Sequence, residues 1–309
     1  MDLEGLAGRL IARLQSKDLV EAWGAKMAVE LEQEAFQRDP AFIERLLPLM
    51  ELFVSYFDAE VRGLARVPAK SPVLMVGNHS GGTLTPDTSA LIAAWYRARG
   101  ADDPLLLLAL DALFAIPKFN TLCRKLGLIP ASEGNADRAL ADGLSLLVYP
   151  GGAREAFRPY RERNRIDFAG RKGFVKLALR TGVTVVPVVG QGAHDSLYVL
   201  SRGDQIAAQM GMDRMRLGIM PVLVQAPWGL STPMFPGIPL PAKIIVEVCP
   251  PLDWSAYGPD DARDPGVLQR CYDEITDVMQ ATLTRLAEEN PYPLLSRFSR
   301  RHAATRSTP

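Results

Sequence analysis

The chain has 309 residues, of which 48% are hydrophobic and 23% charged, with a formal net charge of zero. That length is enough to bury a substantial core, and the neutral balance gives no electrostatic case for nucleic acid as a partner. The three cysteines, Cys123, Cys249 and Cys271, are odd in number and lack metal-ligand spacing, so no disulfide framework and no metal are expected and a reducing compartment is favoured.

The first residues, Met1-Asp2-Leu3-Glu4-Gly5, have neither the basic flank nor the apolar core of a secretory signal. No stretch reaches the ~18 uncharged apolar residues of a spanning helix. A cytoplasmic protein is expected, able to lie on a membrane surface but not to cross it.

Residues 1–66 read as a helical N-terminal region, with Leu6, Leu10, Ile11 and Leu14 at spacings of three and four. From about residue 67 to residue 290 the pattern becomes that of one α/β domain. Expected elements are a strand over 73–76, a helix over 88–99, a strand over 105–110 and helices over 117–126 and 135–141. A strand over 145–149, a helix over 172–180 and a strand over 183–189 follow. Strands apolar throughout and separated by helices imply a largely parallel central sheet with helices on both faces. Pro187 inside the last of these strands suggests a sheet edge or a bulge. Residues 213–243 carry six prolines, which preclude long helices. A strand over 244–248 and a helix over 266–289 complete the domain, and residues 291–309 read as a flexible tail.

The most informative segment is Gly77-Asn78-His79-Ser80-Gly81-Gly82, with Asp87 eight positions after the histidine. A buried strand that ends in glycines around a histidine places the imidazole at a strand's carboxyl end, where ligands gather in such sheets. An imidazole near a carboxylate can serve as a general base. Asp87 also follows Thr85-Pro86, a good helix start in which Thr85 caps and an acid favours the first turn.

A second strand ends in Tyr149-Pro150-Gly151-Gly152-Ala153-Arg154-Glu155. Its backbone N–H groups, with Arg154, suit an anionic headgroup or an oxyanion. Residues 154–180, which include Arg171 and Lys172, hold nine basic against three acidic side chains, suited to a headgroup or to the phosphates of an acyl carrier. His194-Asp195-Ser196 reads as a loop, because adjacent residues rarely converge as a triad.

Taken in order, these segments resemble the glycerolipid acyltransferase superfamily, and most of all its branch related to mono- and diacylglycerol acyltransferases. The resemblance rests on Gly77-Asn78-His79 with Asp87, on Leu126-Gly127-Leu128-Ile129-Pro130-Ala131-Ser132, and on Tyr149 to Glu155. Lys172-Gly173-Phe174-Val175-Lys176 and Val186-Pro187-Val188 complete it. It implies the fold of that superfamily and transfer of a fatty acyl group from acyl-CoA or acyl carrier protein to a glycerolipid or other lipid hydroxyl, with no cofactor. His79 and Asp87 would be catalytic, and Asn78, Ser80, Gly81, Gly82, Gly151, Gly152, Arg154, Glu155, Arg171 and Lys172 would line the substrates. The family places four residues between its histidine and aspartate; here seven intervene. Pro150-Gly151-Gly152 stands where the glycerol-phosphate branch has Pro-Glu-Gly, which shifts the expected acceptor toward a neutral lipid hydroxyl.

Two alternatives fit the same residues. Ser80 in Asn78-His79-Ser80-Gly81-Gly82 is a near miss of the nucleophile elbow, so a serine hydrolase or esterase is one. A lipid-binding protein that kept the fold without catalysis is the other.

Overall fold

The computed structural model describes residues 36–296, apart from 70, 71, 116, 210–217 and 236. Most of the expected N-terminal helical region, together with the tail beyond Ser296 and His302, lies outside the described residues.

The first described helix, α1 (Pro40–Tyr56), starts where the Asp39 carboxylate accepts the Phe42 N–H. Strand β1 (Glu60–Arg62) follows, then β2 (Val73–Gly77), α2 (Pro86–Arg99), β3 (Leu105–Ala109), α3 (Pro117–Lys125), β4 (Leu128–Pro130) and α4 (Glu133–Ala141). The chain continues through β5 (Ser145–Val148), α5 (Gly152–Ala156), α6 (Gly173–Thr181) and β6 (Thr184–Gln191). Strand β7 (Tyr198–Ser201), α7 (Asp204–Gln209), β8 (Val222–Gln225), β9 (Gly229–Ser231), β10 (Ile245–Val248) and α8 (Pro265–Glu289) complete it.

Seven strands form the main sheet in the order β1-β10-β6-β2-β5-β3-β4. From β6 through β4 every pairing is parallel, and β10 turns antiparallel against β6 with β1 parallel to it. Residues 60–62 therefore belong to the sheet, and the helical reading of the chain up to residue 66 is corrected there. The three residues of β1 are too few to show an alternation by which a strand could be told from a helix end.

Alternation along β2 shows how the sheet is covered. Leu74 and Val76 enter one core with α4, α6 and α8, while Val73 and Met75 enter a second core with α1 and α2. Helices thus cover both faces, and fully apolar strands follow from burial on both sides. Helix α8 buries Val267, Leu268, Cys271, Ile275, Met279, Leu283 and Leu286. That stripe, at spacings of three and four, contributes roughly 1.5–3 kcal/mol for each large side chain fully buried.

Pro187 is central rather than at an edge, because β6 lies between β10 and β2. It is tolerated because the β10 ladder runs out there. Val188 pairs with Val248, the last residue of β10, and the Pro187 carbonyl takes the Cys249 N–H at 2.9 Å. The missing N–H thus falls at a break in the pairing, which resumes where the Leu252 N–H donates to the Val185 carbonyl at 2.9 Å.

Between β6 and β10 the chain forms a second, three-stranded antiparallel sheet in the order β7-β8-β9, with β8 and β9 from the proline-rich segment. The sequence has no charged residue between Arg216 and Lys243. Here Trp228 is 53% exposed, Leu230 70% and Met234 79%, with Phe235 and Ile238 exposed beside them. No described helix is long and apolar enough to cross a membrane.

Candidate active site

Strands β2 and β5 are neighbours and parallel, so the loops that leave their carboxyl ends meet. Asn78 fixes the exit of β2. Its side-chain amide donates to the Gly190 carbonyl at 2.9 Å and accepts the Gly190 N–H at 2.8 Å. With both sides of the amide committed and the residue buried, Asn78 serves as a clamp to β6.

The next residue presents the imidazole. His79 is half-buried and stacks on Tyr149, ring centroids 4.5 Å apart and planes 18° from parallel. Its Nδ1 is buried without a hydrogen-bond partner. Burial pulls the pKa of the ring down to about 4, which keeps the imidazole neutral across the physiological range.

Glu155 is the strongest link between the two loops. Its Oε2 accepts the backbone N–H of His79 at 3.0 Å, and its Oε1 accepts from Arg158 at 2.6 Å. Both side chains are about 1% exposed. Burial raises the Glu155 carboxyl to about 7, opposed by the Arg158 charge. A second tie runs from the Gly82 N–H to the Ala156 carbonyl at 3.1 Å.

Asp87 does not meet the imidazole. Its Oδ2 takes the Ser80 hydroxyl at 2.5 Å and its Oδ1 the Thr88 N–H at 2.7 Å. The Thr88 hydroxyl donates to the Tyr149 phenol oxygen at 2.8 Å. Burial pushes the Asp87 carboxyl up to about 6. Pro86 opens α2 as expected, but Thr85 sits in the left-handed region and its side chain caps nothing. The Gly81-Gly82 turn, with φ of 80° and 66°, sets that path. A side chain at Gly82 would run into Leu197.

The other expected residues distribute as follows. Gly151 and Gly152 form the turn into α5, where a side chain at Gly151 would strike Glu155. Arg171 braces that turn from outside, donating to the Pro150 and Gly151 carbonyls at 2.9 and 3.1 Å. Lys172 stands at the start of α6. Arg154 does not join the histidine: its guanidinium pairs with Asp204 at 2.8 Å and is partly exposed.

Residues 193–196 form a buried helical turn whose side chains diverge, as their adjacency implies. Asp195 accepts from Tyr160 at 3.0 Å, and Ser196 donates to the Ala193 carbonyl. His194 is buried with Nε2 unpartnered, and burial, followed by Arg158 and His79, keeps it neutral. Tyr149, Thr88, Arg158 and His194 are the site residues that sequence reasoning missed. Only Arg158 leaves a signal, three positions after an acid.

An imidazole held neutral at the end of a parallel strand, backed by a buried carboxylate on the neighbouring loop, can take a proton from a hydroxyl. The sequence pattern of the acyltransferase family matches residues 58–191, which span β1 to the end of β6 and contain every one of these groups from Asn78 to Gly190. An uncharacterized protein of Mycobacterium tuberculosis is 31% identical over 261 residues, 82% of this chain and 69% of its own length.

The chain belongs to the glycerolipid acyltransferase superfamily. Phytyl ester synthase 1 of Arabidopsis thaliana is 34% identical over 138 residues, 44% of this chain and 20% of its own. Diacylglycerol O-acyltransferase 1 of Saccharomyces cerevisiae is 35% identical over 109 residues, 35% of this chain and 26% of its own. For this acyltransferase, the match to the family ends with β6, so the second sheet lies outside it.

Proposed function

We propose that the protein transfers a fatty acyl group from acyl-CoA, or from an acyl carrier protein, to the hydroxyl of an uncharged lipid, with His79 as general base. The observation that carries this reading is the neutral imidazole of His79, stacked on Tyr149 at the carboxyl end of β2 beside the Pro150-Gly151-Gly152 turn.

In the proposed step the acceptor oxygen attacks the thioester carbonyl while His79 removes its proton. As the tetrahedral intermediate collapses, the C–S bond breaks and the imidazolium returns the proton to the departing thiolate. Glu155, bonded to the backbone N–H of His79, lends negative charge to the transient imidazolium. Asp87 acts at one remove: it orients Ser80 and, through Thr88, the ring on which His79 rests. The Pro150-Gly151-Gly152 turn receives the acceptor headgroup or the developing oxyanion. Arg154 is held by Asp204, so the backbone carries that task.

The acceptor class is supported by the relatives, which are named for esters of phytol and of diacylglycerol, and by Gly151 in place of an acid. A peripheral position on the cytoplasmic side of a membrane is supported by the uncharged segment between Arg216 and Lys243 with its exposed Trp228, Leu230 and Met234. The hydrolase reading is disfavoured by Ser80, whose hydroxyl is buried and given to Asp87 rather than to an imidazole.

The test is thiol release from long-chain acyl-CoA with diacylglycerol, monoacylglycerol, a long-chain isoprenoid alcohol or lysophosphatidate as acceptor. Release that needs an uncharged acceptor and vanishes in His79→Ala is expected. Release without any acceptor that is lost in Ser80→Ala would make the protein a hydrolase. A clear preference for lysophosphatidate would overturn the acceptor class, and lipid binding without release would leave a protein that binds without catalysing.

A further inference from the structure

A groove of about 560 Å³ lies between the start of α6 and the turn that precedes α8, lined by Gly170, Lys172, Gly173, Lys176, Arg263 and Pro265 among others. Among the described residues, Lys172, Lys176 and Arg263 have no carboxylate partner. Asp260, Asp261 and Asp264 flank Arg263 in sequence, and none of them pairs with these cations. Asp264 accepts the Gly266 and Val267 N–H groups, and Asp261 accepts the Gly258 N–H.

The same groove receives a helix start. Lys172 occupies the cap position of the nine-residue helix α6 and makes no side-chain cap bond, so the first-turn N–H groups have no side-chain acceptor there. Three unpaired cations and an uncapped helix N-terminus together form a field for a multiply charged anion.

The groove also connects to the chemistry. Arg171, between Gly170 and Lys172, donates to the Pro150 and Gly151 carbonyls, and Tyr149 immediately before them carries the His79 ring. The groove-lining Gly170 and Lys172 thus flank in sequence the arginine that braces the loop behind the reacting histidine.

We propose that this groove binds the phosphate-bearing nucleotide end of the acyl donor, a nucleoside with a diphosphate and a phosphate monoester. The inference rests on the reading of the protein as a thioester-dependent acyltransferase. The thioester end then extends along the Pro150–Gly152 turn toward His79, and the groove selects a CoA thioester over one lacking phosphates.

The probe is adenosine 3′,5′-bisphosphate, titrated calorimetrically into the full chain at low and physiological salt, with adenosine as the control. Wild type is expected to bind the bisphosphate, with affinity that weakens as salt rises, and to bind adenosine at least tenfold more weakly. Lys176→Glu/Arg263→Glu is expected to lose at least tenfold in bisphosphate affinity, while Lys176→Arg/Arg263→Lys keeps it. Both pairs are read only at melting temperatures matching wild type, with Lys176→Gln as the milder replacement if the double variant melts early. Absence of bisphosphate binding by wild type, or unchanged binding in the charge-reversed variant, overturns the proposal. So does loss of binding to phosphatidylglycerol vesicles with nucleotide affinity intact, which would make the groove a headgroup site. Nucleotide binding without any acyl transfer would instead leave the groove standing and refute the enzymatic reading.

Discussion

The imidazole of His79 lies on the phenol ring of Tyr149, centroids 4.5 Å apart, and the hydroxyl of that phenol is held by Thr88, whose backbone N–H is held by Asp87. The carboxylate thus reaches the histidine through a hydroxyl and a ring. Tyr149→Phe keeps the stacking surface and loses one hydrogen bond, so turnover should fall only a few-fold. Tyr149→Ala removes the platform, and misplacing the base by about 1 Å costs on the order of 100-fold. Steady-state thiol release from the two variants checks the ordering.

Removal of the base itself is the larger effect. His79→Ala should lower kcat by roughly 10²–10⁴-fold, the range a positioned general base supplies, with a melting temperature close to wild type. Because burial sets the imidazole at about 4, the acid limb attributable to it should lie well below the 6.5 of an ordinary histidine. Because the Asp87 and Glu155 carboxyls titrate at about 6 and about 7, the contradicting result is a kcat/KM fall near 6.5 that persists in both Asp87→Asn and Glu155→Gln.

Asp87 links stability to pH. Its carboxyl titrates at about 6 in the fold against a reference of 3.8, so between those values the folded chain holds a proton that the unfolded chain has lost. Stability therefore falls as pH rises from about 4 to about 6 and stays at the lower level above, a loss of about 3 kcal/mol for a two-unit shift. Asp87→Asn has no such ionisation. Its stability relative to wild type should rise across that window and hold to pH 8, even as activity drops. Urea unfolding of both proteins at pH 4, 6 and 8 measures the difference; a constant difference would show that Asp87 does not titrate in this range.

The buried Glu155–Arg158 pair predicts non-additive losses. Arg158→Met leaves a carboxylate buried without its cation and should cost about 3–5 kcal/mol. Glu155→Gln/Arg158→Met removes both charges and should recover much of that, while the Gln oxygen can still accept the His79 N–H. A double-mutant cycle from chemical denaturation gives the coupling.

The parallel core was legible because β2, β3, β5 and β6 are apolar throughout and bounded by helices, and the histidine because glycines frame it at a strand end. The Asp87 path was not legible. A gap of seven intervening residues fits either a direct contact or a cap, and the choice depends on the positive-φ turn at Gly81-Gly82 and on Ser80, whose direction sequence does not encode. Arg154 reads from sequence as a cation for an anionic headgroup or oxyanion, yet its partner Asp204 lies fifty positions away. The second sheet escaped notice because β7, β8 and β9 are only four, four and three residues long, too short to leave an alternation to count.

Among the described residues, the main sheet ends at one rim in β1 and at the other in β4, each only three residues long. A rim that short offers few free backbone donors and acceptors to an incoming strand, and at β4 one of the three positions is Pro130, which has no N–H at all. Growth of the sheet by recruitment of another copy is therefore blocked at both ends. An oily, water-shy exterior elsewhere on the molecule can be tolerated without the parallel core becoming a seed for fibres.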